Sequence, residues 1–400
     1  MMKYLVVIPD GMADEKIEAL GNRTPMEAAN KPFMDELART ADVGTVSNVP
    51  MDMVPESDTA NLAILSYDPK IYSKGRSPLE AMSMGLTMKE GDIAFRCNVV
   101  TVSEDGDSYE DKTMLDHSAD EITTAEAAEL IKALQEAFGT DERTFYPGVS
   151  YRHCMIWNNP PAYVDFERPH DHLGEGVRDI MPPEPYATLV RKSYDILNHH
   201  PVNEARRARG LRPANSIWLW SPGAKPALSS FKAKWGLDAT VISAVDLIKG
   251  IGICAEMESV DVEGATGNYK TNYKGKADAA IDAFRRGKDL VYVHVEAPDE
   301  CGHRAELENK VLSIGLISEK ILKPVTEYLA ASGEPYAVML LPDHPTPICR
   351  RTHTLDAVPY LIWRSDRKAD GVECFCEKTA AAKEQYLPSG YRLMDKLIRG

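Results

Sequence analysis

The chain has 400 residues, 44% of them apolar and 27% charged, with a formal charge of -15 at pH 7. That length buries a large core and predicts two domains, or one domain with a sizeable insertion. The acidic balance excludes nucleic acid and anionic membrane as partners, because their phosphates need a basic face, and no apolar run approaches the roughly 18 residues of a membrane span.

The opening Met1-Met2-Lys3-Tyr4-Leu5 runs straight into a strand with no leader pattern, so a cytoplasmic location is expected. Tyr4 to Ile8 reads as a buried strand, followed by a helix from Pro25 to Ala38 and a β segment from Val43 to Val49. Ser57 or Asp58 then opens a helix through Leu65, either as its cap or, in the case of Ser57, as a hydroxyl at a helix start that favours an anion. From Ser77 to Arg212 the chain becomes more charged and its loops rich in Pro and His, which marks an inserted domain. Inside it, Thr123-Thr124-Ala125-Glu126 is a capping box for a helix that closes near Gly139. Arg96, Asn98, Arg152, His153, His170, Asp171 and His172 punctuate the insert, where arginines suit an anionic substrate.

The α/β alternation returns at Ser216 to Trp220 and continues through the strand at Thr240 and the helix Ala277 to Phe284. It ends with the strand Leu290 to Val295, a long helix from Leu307 to Ala331 and the strand Tyr336 to Leu341. This is the rhythm of a mostly parallel sheet covered on both faces, formed by residues 1–76 and 213–400, with 77–212 as the insert. The seven scattered cysteines, including Cys374 and Cys376, are read as reduced and structural.

Three of the strands finish on a Pro-Asp: Pro9-Asp10, Pro298-Asp299 and Pro342-Asp343. His303, His344 and His353 follow close behind. In an open parallel sheet ligands bind beyond the carboxyl ends of strands, so these side chains are expected to converge. Asp299, His303 and His353 make one metal site; Asp10, Asp343 and His344, with the Ser57 hydroxyl, make a second. Mixed carboxylate and imidazole donors suit manganese, zinc or iron better than magnesium or calcium, which favour all-oxygen shells, and a pair of such ions clamps a phosphoryl group in flight. Serine beside such an ion becomes a usable nucleophile.

Taken in order, Pro9-Asp10-Gly11, Ser57 to Asn61, Asp299 with His303, Asp343-His344 and His353 resemble the alkaline-phosphatase superfamily. The likeness is to its archaeal-type branch of 2,3-bisphosphoglycerate-independent phosphoglycerate mutases and extends to Ala94 to Asn98, Tyr146 to His153 and Thr271 to Tyr273. It implies an α/β alkaline-phosphatase-like core with a smaller α+β cap, two divalent ions with Mn2+ first and Zn2+ or Mg2+ as alternatives, and no 2,3-bisphosphoglycerate. Ser57 and Lys276 would be catalytic; Arg96, Asn98, Arg152 and Asp171 would bind a small phosphorylated substrate, 3- or 2-phosphoglycerate, in glycolysis and gluconeogenesis. The stretch Thr113 to Asp120 lacks the arginines expected there, and with Asn215 to Cys254 it is similar to a bacterial subgroup proposed to act as homoserine kinases. Homoserine kinase on the same scaffold, a metal-dependent phosphomonoesterase and a non-catalytic metal scaffold therefore stand as alternatives.

Overall fold

The computed structural model describes residues 2–164 and 166–400. The chain folds as two compact units, Met1–Ser73 with Ala227–Gly400, and Lys74–Pro226. In chain order the strands are β1 (Lys3–Pro9) and β2 (Asp42–Val46), then β3 (Asp92–Val102), β4 (Met114–Asp116), β5 (Arg143–Tyr146), β6 (Arg152–Asn158) and β7 (Ser216–Ala224). They continue with β8 (Ala239–Ile242), β9 (Glu258–Val260), β10 (Leu290–Val295), β11 (Tyr336–Leu340), β12 (Val358–Arg364) and β13 (Tyr386–Leu387).

The larger unit is built on a sheet of order β13-β2-β12-β11-β1-β10-β8-β9. Its central strands β11, β1, β10 and β8 are mutually parallel, with Val7 beside Leu340 and Pro9 beside Val295, while β12 runs antiparallel to both its neighbours. Every residue of β1, β10 and β11 is buried, the burial expected of parallel strands covered on both faces. One face packs Leu5, Val7, Val293, Val295 and Val338 against apolar residues of the helices Tyr273–Arg285 and Leu307–Ile317.

The expected helix from Pro25 to Ala38 is two helices, Pro25–Ala28 and Pro32–Ala38, because Pro32 takes no part as a donor and Lys31 before it leaves helical geometry. The long helix from Leu307 is interrupted by a π-helical stretch, Ser318–Leu322, before it continues as Lys323–Ser332. Ser318 Oγ there accepts the Met34 N–H at 3.2 Å, satisfying a donor at the start of Pro32–Ala38.

The smaller unit has a largely antiparallel sheet in which β3 pairs with β4, β6 and β7, and β5 adds to β6. Here the sequence reading is corrected: Ser216 to Trp220 belongs to this sheet, with Leu219 beside Cys97, and not to the larger one. A short buried apolar strand carries no mark of which sheet it joins, and this partner lies more than a hundred residues back. The helix Thr124–Phe138 has the expected bounds, with Thr123 as its cap and Gly139 at its end, but the capping box is only half formed: Thr123 Oγ1 accepts the Glu126 N–H, while the Glu126 carboxylate accepts from the Thr123 hydroxyl and not from its backbone. No helix among the described residues is long and apolar enough to cross a membrane.

Candidate metal centre

Because β11, β1 and β10 are adjacent and parallel, their carboxyl ends deliver Asp343, Asp10 and Asp299 to one edge of the sheet. Asp299 and His303 lie one turn apart on the helix Ala297–Arg304, with His303 Nε2 3.3 Å from Asp299 Oδ2. His353 Nε2 is 3.3 Å from Asp299 Oδ1 and 2.9 Å from His303 Nε2. The His344 ring stacks on His353 at 3.8 Å between centroids, and its Nε2 is 3.5 Å from Asp10 Oδ1 and 3.6 Å from Asp343 Oδ2. All six predicted aspartates and histidines thus form one contiguous network.

Ser57 is the first residue of the helix Ser57–Ile64, and Glu56 precedes it without a side-chain cap bond. Its Oγ is 3.1 Å from His344 Nε2, so the hydroxyl faces the network instead of capping its own helix. Asn61, one turn on, pins this arrangement. It donates to Ser57 O and Asp343 Oδ2, both at 2.8 Å, and accepts from the Tyr292 hydroxyl at 2.5 Å. Gly11 lets the β1 turn come close: its φ is +60°, and a Cβ there would lie 2.7 Å from Asp299 Oδ1 and collide with Thr346 Oγ1.

The loop carrying His344 and His353 is tied down by buried polar contacts. Thr346 Oγ1 donates to Asp299 Oδ1 at 2.5 Å, while Lys310 Nζ donates to Thr346 O and Asp14 Oδ2, both at 2.8 Å. Asp14 N–H in turn reaches the Glu377 carboxylate at 3.1 Å.

The electrostatics are those of a donor cluster. Burial, reinforced by Asp343 and Asp299, pushes the Asp10 carboxyl well above its ordinary range. Burial acts the same way on Asp299, but hydrogen bonds from His303 and His353 outweigh it and hold that carboxyl well below. His303, against Asp299, is raised to about 9, whereas burial lowers His344. Asp10 Oδ1 and His294 Nε2 are buried without a hydrogen-bond partner among the described residues. Carboxylate and imidazole atoms this close, two of them orphaned, fit a divalent cation. Two donor groups have atoms that all lie within 4.8 Å of one another, Asp299 with His344 and His353, and Asp10 with His294 and Asp343. His344 thus falls with Asp299 here and not with the Asp10 and Asp343 pair expected from the sequence, and His303 stands beside the first group through its contacts with Asp299 and His353.

Sequence reasoning missed His294. Its signal is a lone imidazole inside the apolar run Leu290 to Val295, on the opposite face from Val293 and Val295, which pack in the core. Lys276 is fully buried at the same strand end, where its Nζ donates to His294 O at 2.7 Å; burial lowers its pKa to about 8.

Within the smaller unit, a cavity of about 320 Å³ is lined by Arg76, Arg96, Asn98, His117, Tyr151, His170 and Trp220. The Arg96 guanidinium lies 4.7 Å over the Trp220 ring and 3.1 Å from Glu80. Burial holds its pKa below the usual value, Glu80 opposes this, and Arg76 and Arg152 lower it further. Asn98 accepts from Trp220 Nε1 at 3.1 Å and donates to His117 O at 3.2 Å. Arg152 and Asp171 are exposed and are not among the lining residues. His117, Tyr151, Trp220 and Arg76 escaped the sequence reading because they come from distant stretches. In the arginine-poor stretch, Asp116 accepts the N–H groups of Ser118 and Asp120 and pairs with Arg212 at 3.2 Å, a turn that sets His117 at the cavity.

A parallel sheet that gathers carboxylates, imidazoles and a helix-start serine defines an α/β protein with a metal-binding centre of the kind that handles phosphoryl groups. The family model described as 2,3-bisphosphoglycerate-independent phosphoglycerate mutase matches residues 38–203. A Methanosarcina mazei protein of that name is 43% identical over 404 residues, covering 100% of both chains. A Geobacter sulfurreducens protein, named as a probable one, is 42% identical over 402 residues, 99% of this chain and 100% of its own. Among solved structures, the PH0037 protein from Pyrococcus horikoshii matches with a TM-score of 0.82 at 25% identity, covering 100% of this chain and 97% of that one. The cofactor-independent phosphoglycerate mutase from Thermoplasma acidophilum matches at 0.67 and 25%, covering 100% and 99%. The chain belongs to the 2,3-bisphosphoglycerate-independent phosphoglycerate mutase family.

Proposed function

We propose that the protein interconverts 3-phosphoglycerate and 2-phosphoglycerate through a phosphoserine at Ser57, without 2,3-bisphosphoglycerate. The observation that carries this is the Ser57 hydroxyl, turned from its own helix toward His344 at 3.1 Å. Asp10, Asp343 and His344 with Ser57, and Asp299, His303 and His353, would hold two divalent ions, with Mn2+ the first choice. Ions bound there lower the pKa of an adjacent hydroxyl and neutralise charge on a phosphoryl group.

The Ser57 oxygen attacks the phosphorus of 3-phosphoglycerate, and the bond to the C3 oxygen breaks with a proton passing to that oxygen. Glycerate turns while bound. Its 2-hydroxyl oxygen then attacks the phosphorus of phosphoserine, the bond from phosphorus to Ser57 Oγ breaks, and the hydroxyl proton passes to Ser57 Oγ, releasing 2-phosphoglycerate and restoring the serine. Water must be kept out while phosphoserine exists, since hydrolysis would make the protein a phosphatase. Arg96 and Asn98, which line a cavity large enough for a three-carbon acid, would bind the substrate, with Arg152 adding positive charge nearby and Asp171 an acceptor for a glycerate hydroxyl. Lys276 supplies a positive charge at the end of β10.

A phosphorus NMR time course on the manganese-loaded protein tests the reading. Interconversion of 3- and 2-phosphoglycerate is expected, with no product from homoserine plus ATP. O-phosphohomoserine with no isomerisation would overturn the acceptor; steady release of inorganic phosphate alone would make it a phosphomonoesterase.

A further inference from the structure

We infer that His294 is a metal-facing donor to the Asp10 and Asp343 pair, joining a set whose remaining members are Ser57 and His344. This rests on the reading of the cluster as a metal centre and extends it to a residue that the ordered motifs leave out. His294 is fully buried near the end of β10, and its backbone carbonyl is held by Lys276 Nζ at 2.7 Å. Its Nε2 lies 3.0 Å from Asp10 Oδ2, yet Nε2 makes no hydrogen bond among the described residues, and neither does Asp10 Oδ1. Proximity without a hydrogen bond means that the ring edge is not aimed at that carboxylate as a donor.

The other ring nitrogen explains the orientation. Nδ1 is 3.2 Å from Ser243 Oγ, which also accepts the Val245 N–H at 2.9 Å. An Nδ1–H donated to the serine oxygen is the tautomer that leaves a lone pair on Nε2, directed toward the space shared with Asp10 and Asp343. Donor atoms of the three residues lie within 4.8 Å of one another, close enough for one ion of the nitrogen-and-oxygen-loving kind, Mn2+ or Zn2+. A histidine kept only for packing would be expected to pair its inner nitrogen, as buried polar groups do.

The test is a titration of the metal-free protein with Mn2+ alone, read by calorimetry and by electron spin-echo detection of histidine nitrogens at the ion. The parent protein should take two ions. His294→Gln should weaken one of them by about 10- to 100-fold, leave the other unchanged and remove one nitrogen coupling. Ser243→Ala, which keeps the ring but frees it to turn, should weaken the same ion by a smaller factor and carries the test should His294→Gln fail to fold. Unchanged affinity and couplings in the folded variants would overturn this assignment while leaving the two-ion centre standing. No Mn2+ binding by the parent protein would overturn both.

Discussion

At the scale of single residues, the proposed chemistry turns on Ser57, whose Oγ lies 3.1 Å from His344 Nε2. Ser57→Ala is expected to lower turnover by on the order of 10⁴-fold or more, with one Mn2+ weakened by the loss of the hydroxyl and the other retained. Mass spectrometry of the parent after a substrate quench should locate one phosphate on Ser57; active turnover with an unmodified serine would remove the covalent route. Tyr292→Phe asks a subtler question. It deletes the donor to Asn61 Oδ1, leaving a buried acceptor unpaired, and should cost roughly 1–3 kcal/mol of stability, read as a lowered denaturant midpoint at constant m-value. Because Asn61 also holds Ser57 O and Asp343 Oδ2, turnover should fall with it.

Turns and strands set how closely those residues can meet. Gly11 and Gly21 both have φ near +60 to +70°, but a methyl at Gly21 meets nothing within 4 Å, while at Gly11 it meets Asp299 and Thr346. Gly21→Ala should cost about 1 kcal/mol, the backbone strain alone, and Gly11→Ala distinctly more, with weakened metal binding as well. Equal losses in the two variants would mean that the close approach at Gly11 is unimportant. The ends of β1, β10 and β11 were legible because parallel strands buried on both faces read as unbroken apolar runs, and each stops at an acid. His294 was hidden by the same rule, since a single imidazole within such a run reads as core. The membership of β7 was hidden too, because pairing with β3 is a long-range event that no local pattern records. The cavity of the smaller unit draws on side chains from Arg76 to Trp220, so only Arg96 and Asn98 on β3 and His170 stood out beforehand.

For the molecule as a whole, pH dependence offers a check on how the centre is braced. Burial raises the Glu377 carboxyl to about 7, although Asp14 N–H and the Thr24 hydroxyl oppose it with hydrogen bonds. A folded value above the unfolded one of about 4.5 means that its contribution is fully present below pH 4.5 and is lost as pH rises through about 7. The parent should therefore lose up to about 3 kcal/mol relative to Glu377→Gln between pH 4.5 and 8, measured by denaturant unfolding of both proteins. A constant difference across that range would show that Glu377 is ionised throughout. Removing divalent ions by chelation should lower the melting temperature of the parent at neutral pH, since an ion that binds only the folded state stabilises it by mass action.

The positions of the donors along the chain carry one last implication. Asp10, Ser57, His294, Asp299, His303, Asp343, His344 and His353 all fall in Met1–Ser73 and Ala227–Gly400, whereas the arginine-lined cavity lies wholly in Lys74–Pro226. On the proposed function, reaction type and acceptor choice would be written in separable passages of the gene. Transplanting residues 74–226 between relatives should exchange which alcohol receives the phosphate while leaving the cation appetite of the recipient intact, so new specificities on this scaffold can arise by swapping one cassette.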